Sequence, residues 1–224
     1  MKYYKVEYSD DRSVVGSQYP QVYDFIKGYN PKPEAHGLFS LYYDDNPFPE
    51  NVDLSGLKLA NGANYTDFLC GGFSNDLFLF NEKAKSVLNI LNIDREYKIY
   101  PAKVISLRKK MEKEYFMMKN LSNNFENVDF EKSHIIHKVN DKNIPIKISS
   151  SGEFMTKFRD PKDADNWDIT FSFLKIKMKK EFYDLKLDLF QIGGIDFLWY
   201  ASHKFVKTIE DNRLTGLKFE EVEL

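Results

Sequence analysis

The chain has 224 residues, with 32 Lys plus Arg against 34 Asp plus Glu, a net charge of -2 and one cysteine, Cys70. That length is one large domain or two small ones and can bury enough surface to need no staple. The near balance of charge argues against a broad phosphate-gripping surface, a lone cysteine allows neither an internal disulfide nor a cysteine-rich zinc finger, and no apolar run has the length of a signal peptide or a membrane span.

Tyr3 to Tyr8 alternates with a period of two and reads as a first strand. Pro20 to Lys27 reads as a short helix, with Val22, Phe25 and Ile26 on one face. Four of the eight prolines fall between Pro31 and Pro49, so that region is expected to be loop-rich, with one strand inside it. Leu77 to Phe80 is an apolar strand that leads to Asn81, a helix cap. Ala84, Val87, Leu88 and Leu91 then share one helical face, predicting a helix over residues 81–91. Tyr97 to Tyr100 alternates again, and Pro101 fits only a strand edge or end. Lys103–Leu107, Tyr115–Lys119, His134–His137, Ile144–Ile148, Thr170–Met178 and Phe182–Leu189 read as further strands, with polar links typical of antiparallel hairpins. The end repeats the Leu77–Val104 design: Phe197-Leu198-Trp199 plays the part of Phe78-Leu79-Phe80. A helix over 202–211 carries Phe205, Val206 and Ile209, and Gly216 precedes a last alternating segment. The expected fold is α+β, one domain over residues 1–224, with a mostly antiparallel sheet and two amphipathic helices in similar strand–helix–strand units.

Few constellations carry chemistry. The Gly71-Gly72 and Gly193-Gly194 pairs read as turns, since no Gly-rich run ends in Lys-Ser or Lys-Thr. Cys70, beside Leu69 and Gly71, reads as a small buried hydrophobe. His134 and His137 are three apart on a strand, which puts them on opposite faces and argues against a shared metal. The basic run Arg108 to Lys113 reads as a hairpin tip or a solvated helix end, answered by Glu112 and Glu114, which leaves only a weak case for nucleic acid. Asp67 is expected to accept backbone N–H groups as a structural residue.

Asp67-Phe68-Leu69, the run Leu77 to Phe80 into Asn81-Glu82-Lys83-Ala84, Val128 to Ser133, and Leu214-Thr215-Gly216-Leu217-Lys218-Phe219 together resemble a bacterial immunity protein family, family eleven of polymorphic toxin systems. The resemblance spans about residues 50–222. It departs at Asn81, where the family has Ser, and at His203, where it has Glu. It implies a cytoplasmic protein that binds and neutralises a cognate toxin, with no catalytic residue, cofactor, metal, nucleic acid or membrane involved. It leaves the oligomeric state open.

Acids steer a basic partner and aromatics anchor a contact. Two loop-like segments combine both: Tyr42-Tyr43-Asp44-Asp45, and Asp163 and Asp165 with Trp167. These are the candidate toxin-binding residues. The rival readings are a small cytosolic enzyme with a pocket near Asp67 or His203, and a plain scaffold subunit.

Overall fold

The computed structural model describes residues 2–74, 77–139, 142–158, 170–194 and 196–224. From the N-terminus the chain forms β1 (Tyr3–Tyr8), a one-turn helix α1 (Arg12–Val15), β2 (Val22–Phe25), a short helix α2 (Ser40–Tyr43), β3 (Leu57–Leu59), β4 (Phe68–Leu69), β5 (Leu77–Phe80) and α3 (Glu82–Leu88). A long hairpin follows, β6 (Tyr97–Ser106) and β7 (Met111–Asn120). The second half holds β8 (His134–Val139), β9 (Lys142–Ile146), α4 (Ser151–Phe158), β10 (Thr170–Lys175), α5 (Lys180–Asp184), β11 (Leu189–Gly193), β12 (Asp196–Ser202), α6 (His203–Asp211) and β13 (Leu217–Val222). The fold is α+β and mostly antiparallel.

A six-stranded sheet, in the order β2-β3-β6-β7-β5-β4, is antiparallel except between β3 and β6. It curls into a half-barrel whose outer strands touch. The N–H groups of Gln21 and Val22 both donate to the Cys70 carbonyl at 3.0 Å, and Gly72 N–H donates to Val22 O at 2.7 Å. The concave side holds Val22, Leu57, Leu59, Leu69, Leu79, Ala102, Val104, Tyr115 and Met117, the inward half of each alternating strand. Its convex side packs on a four-stranded sheet, β11-β12-β1-β13. Phe78, Phe80, Met118, Val6, Trp199 and the apolar faces of α3 and α6 fill that middle layer. The far face of the four-stranded sheet, with Tyr3, Phe190 and Tyr200, meets Ile135 of a three-stranded sheet, β10-β8-β9, together with Phe154 and Phe182.

The two strand–helix–strand units are present and pack on each other. Asn81 accepts the Ala84 N–H as N-cap of α3, and Ser202 accepts the Phe205 N–H as N-cap of α6. Aligning the caps sets an offset of 202 − 81 = 121 residues. Phe78 therefore matches Trp199, two residues beyond the Phe197 expected from the apolar run. The two matched rings meet at 5.4 Å in the middle layer. The sheets correspond as well. The orders β4-β5-β7-β6 and β11-β12-β1-β13 have the same antiparallel pairings, with β1 standing where β7 stands.

Several expectations are corrected. Residues 22–25 form a strand, because Val22, Asp24 and Phe25 pair with β3. The apolar stretch around Leu41 is a helical turn that drops Leu38 and Leu41 into the half-barrel. The helix begun at Asn81 ends at Leu88, and Ile90 and Leu91 continue it only as tighter turns, donating to the carbonyls three residues back. Residues 180–184 are helical rather than extended, with Phe182 turned into the third layer. Ser150 opens a missed helix, α4: its Oγ accepts the Glu153 N–H while Glu153 accepts the Ser149 N–H and hydroxyl. Pro101 lies inside β6, opposite Phe116, at a level where the β3 side makes no ladder.

Candidate functional site

The segment from Leu38 to Pro49 crosses one end of the half-barrel. Leu38 and Leu41 are buried in it and hold α2 down. Tyr29 fixes the approach, donating its hydroxyl to Asp53 O at 2.6 Å and accepting the Leu38 N–H at 3.0 Å. Lys119, a buried lysine on β7, donates to the Leu41 carbonyl. Lys98 on β6 reaches the carbonyls of Phe48 and Pro49. The loop between is a run of side-chain turns: Asp44 Oδ1 accepts the Asn46 N–H at 2.8 Å, and Asn46 Oδ1 accepts the Phe48 N–H at 2.9 Å. Asx turns of this kind replace backbone ladder bonds in irregular chain.

This anchoring presents three of the candidate residues, Tyr43, Asp44 and Asp45, on one surface. Tyr42 packs against the half-barrel core, whereas Tyr43 is 75% exposed. Asp44 and Asp45 are exposed beside them. The Asp44 carboxylate also lies near the Tyr100 phenol, whose pKa is pushed up to about 12, first by burial and then by that charge. Asp163, Asp165 and Trp167 lie outside the described residues.

Sequence reasoning missed the rest of the face. Phe39 touches Tyr43 at 6.4 Å and Phe25 at 6.3 Å, and Phe25 stacks on Phe73 at 6.2 Å. Phe25, Phe39 and Phe73 are each only partly buried, and Tyr23 next to Phe25 is 52% exposed. Three chain segments thus join into one aromatic ridge. From Tyr19 to Gly56 the acids are Asp24, Glu34, Asp44, Asp45, Glu50 and Asp53, against Lys27 and Lys32 alone. That segment's excess of four negative charges exceeds the net charge of -2 of the whole chain, with Asp24 paired to Lys58 at 2.8 Å. The proline density marked this region as loop; the joining of Phe25, Phe39 and Phe73 depends on β2 being a strand, which the sequence pattern concealed.

The other two named positions are structural. Asp67 Oδ2 accepts the Thr215 N–H and hydroxyl, both at 2.8 Å, and Oδ1 accepts from the Asn81 amide at 2.9 Å. His203 opens α6, 3.3 Å from the Tyr4 hydroxyl and stacked on its ring. Near Asp67 there is a groove of about 570 Å³, lined by Asn64, Tyr65, Thr66, Lys109, Lys113 and Thr215. The Lys113 ammonium sits 4.7 Å above the Tyr65 ring. Asp67 itself does not line this groove; its carboxylate is taken up by Thr215 at the groove's edge and by Asn81. Cys70 is buried, with its thiol pKa raised chiefly by that burial. Among the described residues, no three of His, Cys, Asp and Glu group as metal ligands would, and no helix is long and apolar enough to cross a membrane. No protein-family model matches the chain, and no curated protein matches it.

Proposed function

We propose that the protein is an immunity protein of the family it resembles, and that it captures its cognate toxin on the acid–aromatic face of α2 and β2. The observation that supports this reading is the Tyr43-Asp44-Asp45 corner itself. An exposed aromatic and two carboxylates sit on a segment held by buried Lys119 and half-buried Lys98 of the sheet, continuous with the Phe25–Phe39–Phe73 ridge. Exposed apolar patches rimmed by charge mark protein contacts. Rigid presentation lowers the ordering cost of binding, and a negative rim speeds encounter with a positive partner. Nothing in this arrangement requires bond chemistry.

The test uses the product of the gene immediately upstream, which on this reading is the toxin. Tyr43→Ala and Asp45→Lys are the clean variants, because Asp44 also holds its own turn. Tyr43→Ala is expected to weaken binding by about tenfold or more, as for an interface anchor. Asp45→Lys is expected to slow association at low salt and to have little effect at high salt. Both variants should melt as the wild type does. Unchanged affinity and association rate in both would remove this face from the reading.

A further inference from the structure

The edges of the sheets differ in how they are closed. The outer strands of the half-barrel meet at Val22 and Gly71. The β11 side of the four-stranded sheet is met by Ile93, and Asp94 N–H donates to Leu189 O. The three-stranded sheet ends in β9, which carries Pro145, and in β10, whose pairing is broken by a register shift between Phe173 and Lys175. Prolines and bulges are devices that blunt an edge. β13 has neither. It pairs with β1 in unbroken register over six residues, Leu217 to Val222, and its other side carries no ladder among the described residues. Its counterpart in the half-barrel, β6, has that same side covered by β3.

The charges on β13 select an occupant for the open edge. A row of like charges would repel a second copy, but here the sign alternates. Lys218 and Glu220 lie on one face, opposite Glu7 and Lys5 of β1. In an antiparallel pair related by a two-fold axis through the sheet, facing residues must share a face, so their numbers add to an even sum. Pairing centred on Phe219 sets Lys218 against Glu220 of the other copy, twice. Moving the centre by one residue either way sets Lys218 against Lys218 or Glu220 against Glu220. Only the first register matches charge, and it also places Phe219 against Phe219 on the face that meets the middle layer. Glu220 is exposed and takes part in no ion pair among the described residues, so its carboxylate is free for that contact. We propose that the protein self-associates through β13, joining two four-stranded sheets into one of eight strands.

Sedimentation across a concentration series tests this. The wild type should move from 26.4 kDa toward twice that mass as concentration rises, and its β13 amides should gain hydrogen-exchange protection in parallel. Glu220→Lys puts like charges opposite each other in both symmetric contacts, and should raise the half-association concentration by about tenfold or more; it also faces Lys5 of β1, so a small loss of melting temperature is expected with it, which Glu220→Gln avoids. Glu220→Gln should fall between. A wild type that stays at 26.4 kDa at every concentration up to hundreds of micromolar overturns the proposal. So does association to which Glu220→Lys makes no difference. Neither outcome bears on the aromatic face, which lies on the half-barrel.

Discussion

The unit around Asp67 and the unit around Asp188 solve one problem in two ways. Each begins with an aspartate that binds the cap of its own helix 14 residues later: Asp67 to Asn81, and Asp188 to Ser202. Each aspartate is also gripped by the loop that follows the other unit's helix. Thr215, after α6, bonds to Asp67, and the Asn92 N–H, after α3, bonds to Asp188 at 2.9 Å. The exchange is reciprocal, so neither aspartate completes its bonds without the opposite unit. The difference lies in depth. Asp67 is partly exposed and meets neutral donors. Asp188 is 4% exposed and takes Lys204 Nζ as a third donor, at 2.7 Å. Burial alone would raise its pKa, but the bonds from Lys204, Asn92 and Ser202 hold it below the usual 3.8. The lesson is that a repeated clasp can be built with polar donors at the surface, and needs a charge only where water is excluded.

The comparison breaks most sharply at the helix faces. Phe205, fully buried, occupies the position that Ala84 occupies in α3, so α6 supplies the bulk that fills the shared layer. Phe205→Ala makes the two helices alike and should cost about 3–5 kcal/mol, read as a loss of melting temperature. A cost below about 1 kcal/mol would show that this layer is not tightly packed.

The clasps come next. Asp188→Asn should cost about 2–3 kcal/mol, since it strips a buried charge-assisted bond and points an amide at donors. Asp67→Asn should cost about 1–2 kcal/mol. The Asp188 effect should also depend on pH. Its folded pKa is depressed, so the stabilisation is complete above 3.8 and is lost as pH falls through the lower folded value. The gap between wild type and Asp188→Asn should therefore be flat near neutrality and shrink below about pH 4. A gap that widened with acid would reverse the assignment.

The smallest effects are at the caps. Asn81→Ala and Ser202→Ala should each cost about 1 kcal/mol by denaturant unfolding, with Ser202 the larger. Its hydroxyl both accepts from Phe205 and donates to buried Asp188. Asn81 makes the matching pair of bonds, to Ala84 N–H and to the more exposed Asp67, so equal values would mean that the burial of Asp188 adds nothing to the Ser202 bond.

The units were legible because their signals are local. Helical spacing, the Asn81 and Ser202 caps and the Gly216 stop can each be read within a dozen residues. Gly216 shows why such a signal is reliable: its φ is +105°, and a Cβ there would lie 2.0 Å from Phe68 O. The structural role of Asp67 was legible too, from its place before an apolar strand. What could not be read depends on distant chain. Val22 to Phe25 fits either a helix or a strand until β3 and Cys70 claim its backbone. Phe182 looked extended because its helix is a single turn under a layer made elsewhere. The candidate site divided the same way: Tyr43 and the acids stood out by composition, whereas Phe25, Phe39 and Phe73 meet only after the sheet has curled.

The position of β1 has a consequence for the order of assembly. It lies between β12 and β13, so Tyr3 pairs with Ser202 on one side and Val222 on the other. A ribosome releases those partners about two hundred residues after β1 itself, so the half-barrel can collapse during synthesis while β1, already made, still lacks both of its neighbours. Closing so long a loop is slow. Until the last strand is made, Tyr4, Val6 and Tyr8 remain without their neighbours, and a chaperone that binds extended apolar chain would find its longest-lived target at the N-terminus.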